Sequence, residues 1–96
     1  MPIYFVFRDA GENWVPELGP RDQPDFLAHA KFVNDLHSRD IARIGGRLID
    51  DSQFMIAVYA DNLEQARDAV EPDPWIKNGV LKTIRITEFQ VLLGKI

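Results

Sequence analysis

The sequence predicts an α+β domain with an antiparallel sheet, in which strands and helices follow the order β-α-β-β-α-β. Aromatic and β-branched residues cluster near the N-terminus and in the middle of the chain, apolar residues recur at helical spacing between them, and glycine or proline separates the segments. This order is the ferredoxin-like arrangement. With 96 residues, the chain is expected to form one domain, residues 1–96.

The N-terminal part of the chain predicts a strand, a loop and a helix. Residues 3–8 are aromatic or β-branched apart from Arg8, which is typical of a strand. Residues 9–24 contain glycines and prolines throughout and predict a long loop. Residues 25–39 predict a helix, because apolar side chains recur there at helical spacing: Phe26, Ala30, Val33 and Leu36.

A hairpin is predicted in the middle of the chain. Residues 41–49 predict a strand, with a kink or bulge at Gly45 and Gly46. Residues 50–52 predict a turn, and residues 53–60 a second strand that pairs with the first.

The last quarter of the sequence predicts a second helix and a final strand. Asp61 and Glu64 have the spacing of a capping box, which predicts a helix that runs to about Val70. Prolines on both sides of Asp73 end this helix. A short turn or helix is predicted at 75–78, and a strand at 82–93.

Composition and charge exclude several classes of function. The chain has no cysteine, which excludes disulfides, thiolate metal sites and a cysteine nucleophile. With 15 acidic and 11 basic residues, its net charge of −4 argues against nucleic acid or an anionic membrane as partner. We see no secretion signal, no membrane span and no cofactor fingerprint, so a cytoplasmic protein without a cofactor is expected.

The predicted central strands are apolar on both faces, which indicates a dimer. Alternate residues of a strand point to opposite faces, and both sets are apolar in residues 3–7 and 54–59. Two helices cover one face of the sheet. A second copy of the sheet would cover the other, and the alternative is the loop at 9–24, which carries Trp14 and Leu18.

His29 is the most informative candidate for chemistry, because it falls inside the apolar stripe of the first helix. A buried imidazole needs a hydrogen-bonding partner, so one interpretation is a core histidine. The other is a general acid or base oriented by a carboxylate, either Asp25 one turn earlier or Asp73. His37 lies eight residues further on, too far for the two to share a metal directly, so no metal site is expected.

Other residues carry weaker signals. Gly45 and Gly46 lack the context of a phosphate loop and favour a bulge. Ser38 and Ser52 lie in no nucleophile motif. The remaining candidates could clamp an anion or wall a pocket, although solvated arginines and core tryptophans are more common: Arg21, Arg43, Arg85, Trp14 and Trp75.

Two stretches of the sequence resemble the YciI-like (YCII-related) family. Residues 29–48 begin with a helical histidine and reach the Gly45-Gly46 strand about seventeen residues later, as in that family. Asp73-Pro74-Trp75, Gly79-Val80 and Glu88-Phe89 are similar to its Asp-Pro-aromatic, Gly-Val and terminal phenylalanine pattern. Asp40 departs from the pattern, which usually has glycine there, and the arginine that often precedes the histidine is absent.

The resemblance implies a dimer whose two sheets form an α/β barrel, with a His–Asp pair that falls here on His29 and Asp73. The best-known activity in the family is dehydrochlorination of a chlorinated hydroxyhydroquinone. We therefore expect a small lyase or isomerase in which His29 moves a proton on a cyclic substrate, with Tyr4, Trp14 and Arg85 as candidate substrate-binding residues. The alternative is a module of the same fold that binds a small molecule without turning it over.

Overall fold

The four strands form one antiparallel sheet with the helices packed on it. A computed structural model describes residues 1–50 and 53–96, so the turn predicted at 50–52 lies partly outside the described residues. The strand order is β2-β3-β1-β4. The elements are β1 (Ile3–Ala10), a 3-10 turn (Pro20–Asp22), α1 (Phe26–Ser38), β2 (Ala42–Arg47), β3 (Phe54–Tyr59), α2 (Leu63–Val70), α3 (Pro74–Lys77) and β4 (Leu81–Phe89). The predicted ferredoxin-like α+β class is confirmed.

The core lies between the sheet and the helices. Alternation along β1 sends Tyr4 and Val6 to the helix side, where both are buried. They pack there with Leu36 of α1 and with Ala66 and Val70 of α2. Arg8 follows in the same alternation, so the buried side of β1 carries a charge at its end.

The opposite side of the sheet, called here the open face, is apolar too. Phe5 and Phe7 pair across the sheet with Ala57 and Met55, and Phe5 stacks on Phe89 with ring centroids 4.2 Å apart. Trp14 of the long loop packs against Trp75 and Phe54 on the helix side. The loop therefore does not place its tryptophan over the open face, contrary to the alternative considered for that face.

Pairing with β1 sets the limits of β4. The predicted strand at 82–93 is too long, because β4 ends at Phe89, which pairs with Ile3 at the start of β1. Beyond that point β1 offers no further residue of its strand to pair with. At the other end, β1 extends two residues further than predicted, to Ala10, because Ala10 pairs with Leu81.

The irregularity in β2 lies at Arg43 and not at the two glycines. The register shifts between Ala42 and Ile44, whereas Gly45 and Gly46 pair regularly with Ile56 and Met55. The bulge predicted at the glycines is therefore wrong.

Helix α2 begins one residue later than predicted. Its N-cap is Asn62 and not Asp61, since the Asn62 side chain accepts a hydrogen bond from the Gln65 backbone N–H. The Gln65 side chain in turn accepts from the Asp61 backbone N–H. The arrangement resembles a capping box built from asparagine and glutamine, except that the Gln65 side chain accepts from the residue before the N-cap.

Asp40 ends α1 in a conformation that usually requires glycine. Its φ is 60°, in the left-handed region. The Asp40 N–H donates to the His37 carbonyl and the Ile41 N–H to the Leu36 carbonyl, which is a Schellman motif. This explains why glycine is usual at this position in the family that the sequence resembles. Aspartate is one of the few side chains that tolerate the left-handed region.

Within residues 1–50 and 53–96, none of the helices has the length and apolar character needed to cross a membrane.

Candidate functional site

A cavity of about 270 Å³ opens between α1 and the β2–β3 side of the sheet. Its volume lies just below the range of sites that hold drug-sized ligands, about 300–1,000 Å³. A compound with a single ring is therefore the size that fits. The cavity is lined by Arg8, His29, Val33, Asn34, His37, Ala42, Ile44, Gly45, Gly46, Phe54, Met55, Ile56 and Leu81.

His29 lies one turn into α1 and faces this cavity with 16% of its side chain exposed. Its Nδ1 is 2.8 Å from Oδ1 and 3.0 Å from Oδ2 of Asp73. Asp25 does not make this contact, because its carboxylate accepts a hydrogen bond from the Asn78 side chain. The structure thus places Asp73 beside the histidine.

Asp73 has no exposed surface and receives three donors. It is the N-cap of α3, and its Oδ1 accepts from the Trp75 backbone N–H at 2.9 Å. The other two donors are Nδ1 of His29 and the guanidinium of Arg8. Burial acts to raise the pKa of Asp73, but the hydrogen bond from His29 and the charge of Arg8 outweigh it and lower the pKa below its usual value. Asp73 is therefore ionised at neutral pH.

Arg8 is the site residue that the sequence reasoning missed. Its Nη1 lies 2.7 Å from Oδ2 of Asp73, and the residue is only 3% exposed. A signal was present in β1, because Arg8 continues the alternation of Tyr4 and Val6 on the buried side. A charged residue on that side must find a partner, and Asp73 is that partner.

Trp75 fixes the plane of the His29 ring. The two rings stack with centroids 3.8 Å apart and planes 7° from parallel. The indole N–H of Trp75 donates to the Pro24 carbonyl at 2.7 Å, which prevents the indole from rotating. The imidazole is therefore oriented by the tryptophan below it and by Asp73 at its Nδ1 edge.

The three candidate substrate-binding residues lie away from the cavity wall. Tyr4 is buried in the core, and Trp14 packs in a separate cluster with Trp75. Arg85 is on β4 opposite Phe7 and lines a different groove. Their role in substrate binding remains a prediction, for which this placement gives no support.

Other candidates from the sequence lie at the surface or outside the described residues. His37 is exposed but lines the cavity, whereas Arg21 lies in the 3-10 turn. Arg43 forms a partly exposed ion pair with Asp40. The Ser38 hydroxyl donates to a carbonyl of its own helix, and Ser52 is not described.

The described part of the chain contains no group of three or more metal-ligating side chains. A larger groove, of about 780 Å³, lies between β4 and the two C-terminal helices. It is lined by both basic and acidic residues, including Arg67, Lys82 and Glu71, and His29 is not among its lining residues. The smaller cavity is the candidate site because it combines His29 with the ion pair of Arg8 and Asp73.

No protein-family model and no curated protein matches the chain. Among solved structures, it is similar to 5-chloro-2-hydroxyhydroquinone dehydrochlorinase from Burkholderia phenoliruptrix, in complex with 2,5-dihydroxybenzoquinone. The TM-score is 0.65 and the identity 16%, and the alignment covers 96% of this chain and 95% of the other. At this identity the similarity concerns the fold alone, and it agrees with the ferredoxin-like arrangement expected from the sequence.

Proposed function

We propose that the chain is a YciI-like enzyme that transfers a proton on a small cyclic compound, without a cofactor, with His29 as the general base. The observation that carries this proposal is the contact of His29 with the buried, ionised Asp73 at the wall of a cavity of single-ring size. The fold it shares with a dehydrochlorinase supports this class of chemistry by analogy.

The geometry supports Nε2 as the nitrogen of His29 that reacts. An ionised carboxylate has no proton to donate, so the hydrogen bond between His29 and Asp73 requires the proton to be on Nδ1. The Nε2 atom then carries the free lone pair and accepts a proton from the substrate. Arg8 supports this state, because its charge keeps Asp73 ionised.

The reaction follows from this assignment. Nε2 of His29 takes a proton from a ring hydroxyl, or from a ring carbon next to a carbonyl, and the electron pair stays on the ring. In a lyase, the proton comes from a ring carbon next to a carbonyl, and the electron pair of the broken C–H bond forms a C=C bond as chloride leaves the adjacent saturated carbon. The imidazolium then releases the proton to water. In an isomerase, the imidazolium returns the proton to another carbon of the ring.

The test is a turnover screen with the purified protein. Chlorinated hydroxyhydroquinones are incubated with the parent protein, and chloride release is measured. Cyclic enol lactones are incubated in D₂O, and deuterium incorporation is followed by NMR. We expect one of the two reactions, and binding without either reaction would instead favour the non-catalytic module.

We further propose that the protein is a homodimer that pairs through the open face. Ile44 is 55% exposed on this face, beside Ala57. Because Phe5, Phe7 and Met55 lie on the same face, Ile44 belongs to an extended apolar surface, unlike a singly exposed residue. The helices cover the other side of the sheet, so a second copy is the partner that buries both exposed faces at once.

Substituting Ile44→Lys is expected to shift the protein from dimer to monomer. Dimerisation would bury the lysine charge in an apolar interface, and the cost of desolvating that charge weakens the association. Analytical ultracentrifugation measures the mass directly. The control is Leu27→Lys, since Leu27 is 82% exposed on α1, away from the open face. A monomeric parent protein, or equal effects of the two substitutions, would contradict the dimer.

A further inference from the structure

Two adjacent glycines in β2 have no role that the backbone requires. The glycines in the left-handed region are Gly79 and Gly94, whereas Gly45 and Gly46 pair regularly within the sheet. A Cβ built on Gly45 would lie 3.7 Å from the Met55 carbonyl oxygen and 3.8 Å from Cγ1 of Ile56, which are ordinary contacts. The fold therefore accommodates a side chain at this position.

A glycine inside a strand lowers stability, because it has no side chain to pack and loses more backbone freedom on folding. Glycines in strand interiors often mark places where a ligand or another backbone approaches closely. The backbone does not require glycine at position 45. The presence of glycine there therefore needs another explanation, which is the open space that the missing side chain leaves.

The direction of that space is set by the register of β2 and β3. Gly45 pairs with Ile56, which pairs with Val6 and is buried with it on the helix side. A side chain at Gly45 would therefore point to the helix side of the sheet, towards the cavity that Gly45 lines together with His29. Gly46 pairs with Met55, so its side chain would point to the open face.

We propose that Gly45 determines the substrate specificity of the site, because its bare backbone is a flat wall against which a planar ring lies. This inference rests on the proposed function. In a cavity of about 270 Å³, one added methyl group removes space that a single ring needs. The substrate class is therefore a flat, single-ring compound, such as a hydroxylated quinone or phenol, with its reacting atom at Nε2 of His29.

The test measures binding of 2,5-dihydroxybenzoquinone by titration calorimetry to the parent protein, Gly45→Ala and Gly45→Val. We expect the dissociation constant to rise about tenfold for alanine and further for valine, since one methylene in a pocket changes recognition by about 10–200-fold. The control is Gly19→Ala, because a Cβ at Gly19 has nothing within 4 Å and lies in the loop. It should bind as the parent does.

Thermal unfolding provides the second readout and needs no ligand. We expect Gly45→Ala to raise the melting temperature by about 2–6 °C, because alanine removes the cost of a strand glycine. A clear fall would show that the fold requires Gly45 and would overturn the inference. Parent-like quinone binding by Gly45→Val would overturn it too, while leaving the proposed function intact. A parent protein that binds no cyclic probe would refute the proposed function itself.

Discussion

Replacing Asp73 with asparagine is expected to lower the free energy of unfolding by about 3–5 kcal/mol, the usual cost of removing one partner of a buried ion pair. The two side chains have nearly the same size, so packing changes little. What changes is charge, because Arg8 is left with a buried guanidinium and no counter-ion. Urea unfolding measures the effect as a lower midpoint at an unchanged slope.

The matched control is Asp68→Asn, the same change on the exposed side of α2, which should alter stability by less than about 0.5 kcal/mol. The double variant Arg8→Met with Asp73→Asn tests the cause. It should recover part of the loss, because the unpaired charge is removed along with its partner. A loss of less than about 1 kcal/mol in the single variant would show that Asp73 does not neutralise Arg8 in solution.

The pH dependence of the parent protein follows from the same carboxylate. Because the pKa of Asp73 is lower in the folded than in the unfolded protein, its contribution to stability is complete above the unfolded value, near pH 4. That contribution is lost as the pH falls through the folded value. Asparagine cannot titrate, so the difference in stability between the parent and Asp73→Asn should shrink below about pH 4.

Substituting His29→Asn is expected to lower kcat/KM by about 10²–10⁴-fold, the usual contribution of a positioned general base. Asparagine keeps an N–H donor near the position of Nδ1, so Asp73 retains its hydrogen bond. The group that is lost is Nε2. The measurement is the steady-state rate with whichever substrate the turnover screen identifies.

A control and a second readout separate catalysis from folding. Lys31→Gln changes an exposed residue of α1 and should leave the rate unchanged. His29→Asn should also bind 2,5-dihydroxybenzoquinone within about threefold of the parent, because the wall of the cavity is preserved. A variant that keeps more than about a tenth of the parent activity would show that His29 is not the base.

The pattern of apolar residues predicts the fold well, and the site only in part. Alternation in β1 and β3 predicts a sheet with two apolar faces, and helical spacing predicts α1 within one residue at each end. Local spacing leaves Asp25 and Asp73 both open as partners of His29. The partner lies 44 residues further along the chain, and only the resemblance to a family favours it.

Where prediction fails, the missing information is tertiary. Propensity alone extends β4 to residue 93, whereas the end of β1 limits it to Phe89. The conformational freedom of the glycine backbone favours a bulge at Gly45 and Gly46. The register of β2 is instead shifted at Arg43, between the pairing of Ala42 and that of Ile44 with β3. Arg8 has a visible signal in the alternation of β1, and its importance appears only once Asp73 lies opposite to it.

The sequence separation of Arg8, His29 and Asp73 determines when the site forms during folding. The three residues come from the first strand, the first helix and the turn after the second helix, and Arg8 and Asp73 are 65 positions apart. Contacts of such long sequence separation cost loop-closure entropy, which makes them slow to form. We therefore expect the site to assemble late in folding, and in a nascent chain only after Asp73 has been synthesised. Loss of activity on heating should coincide with loss of the whole fold.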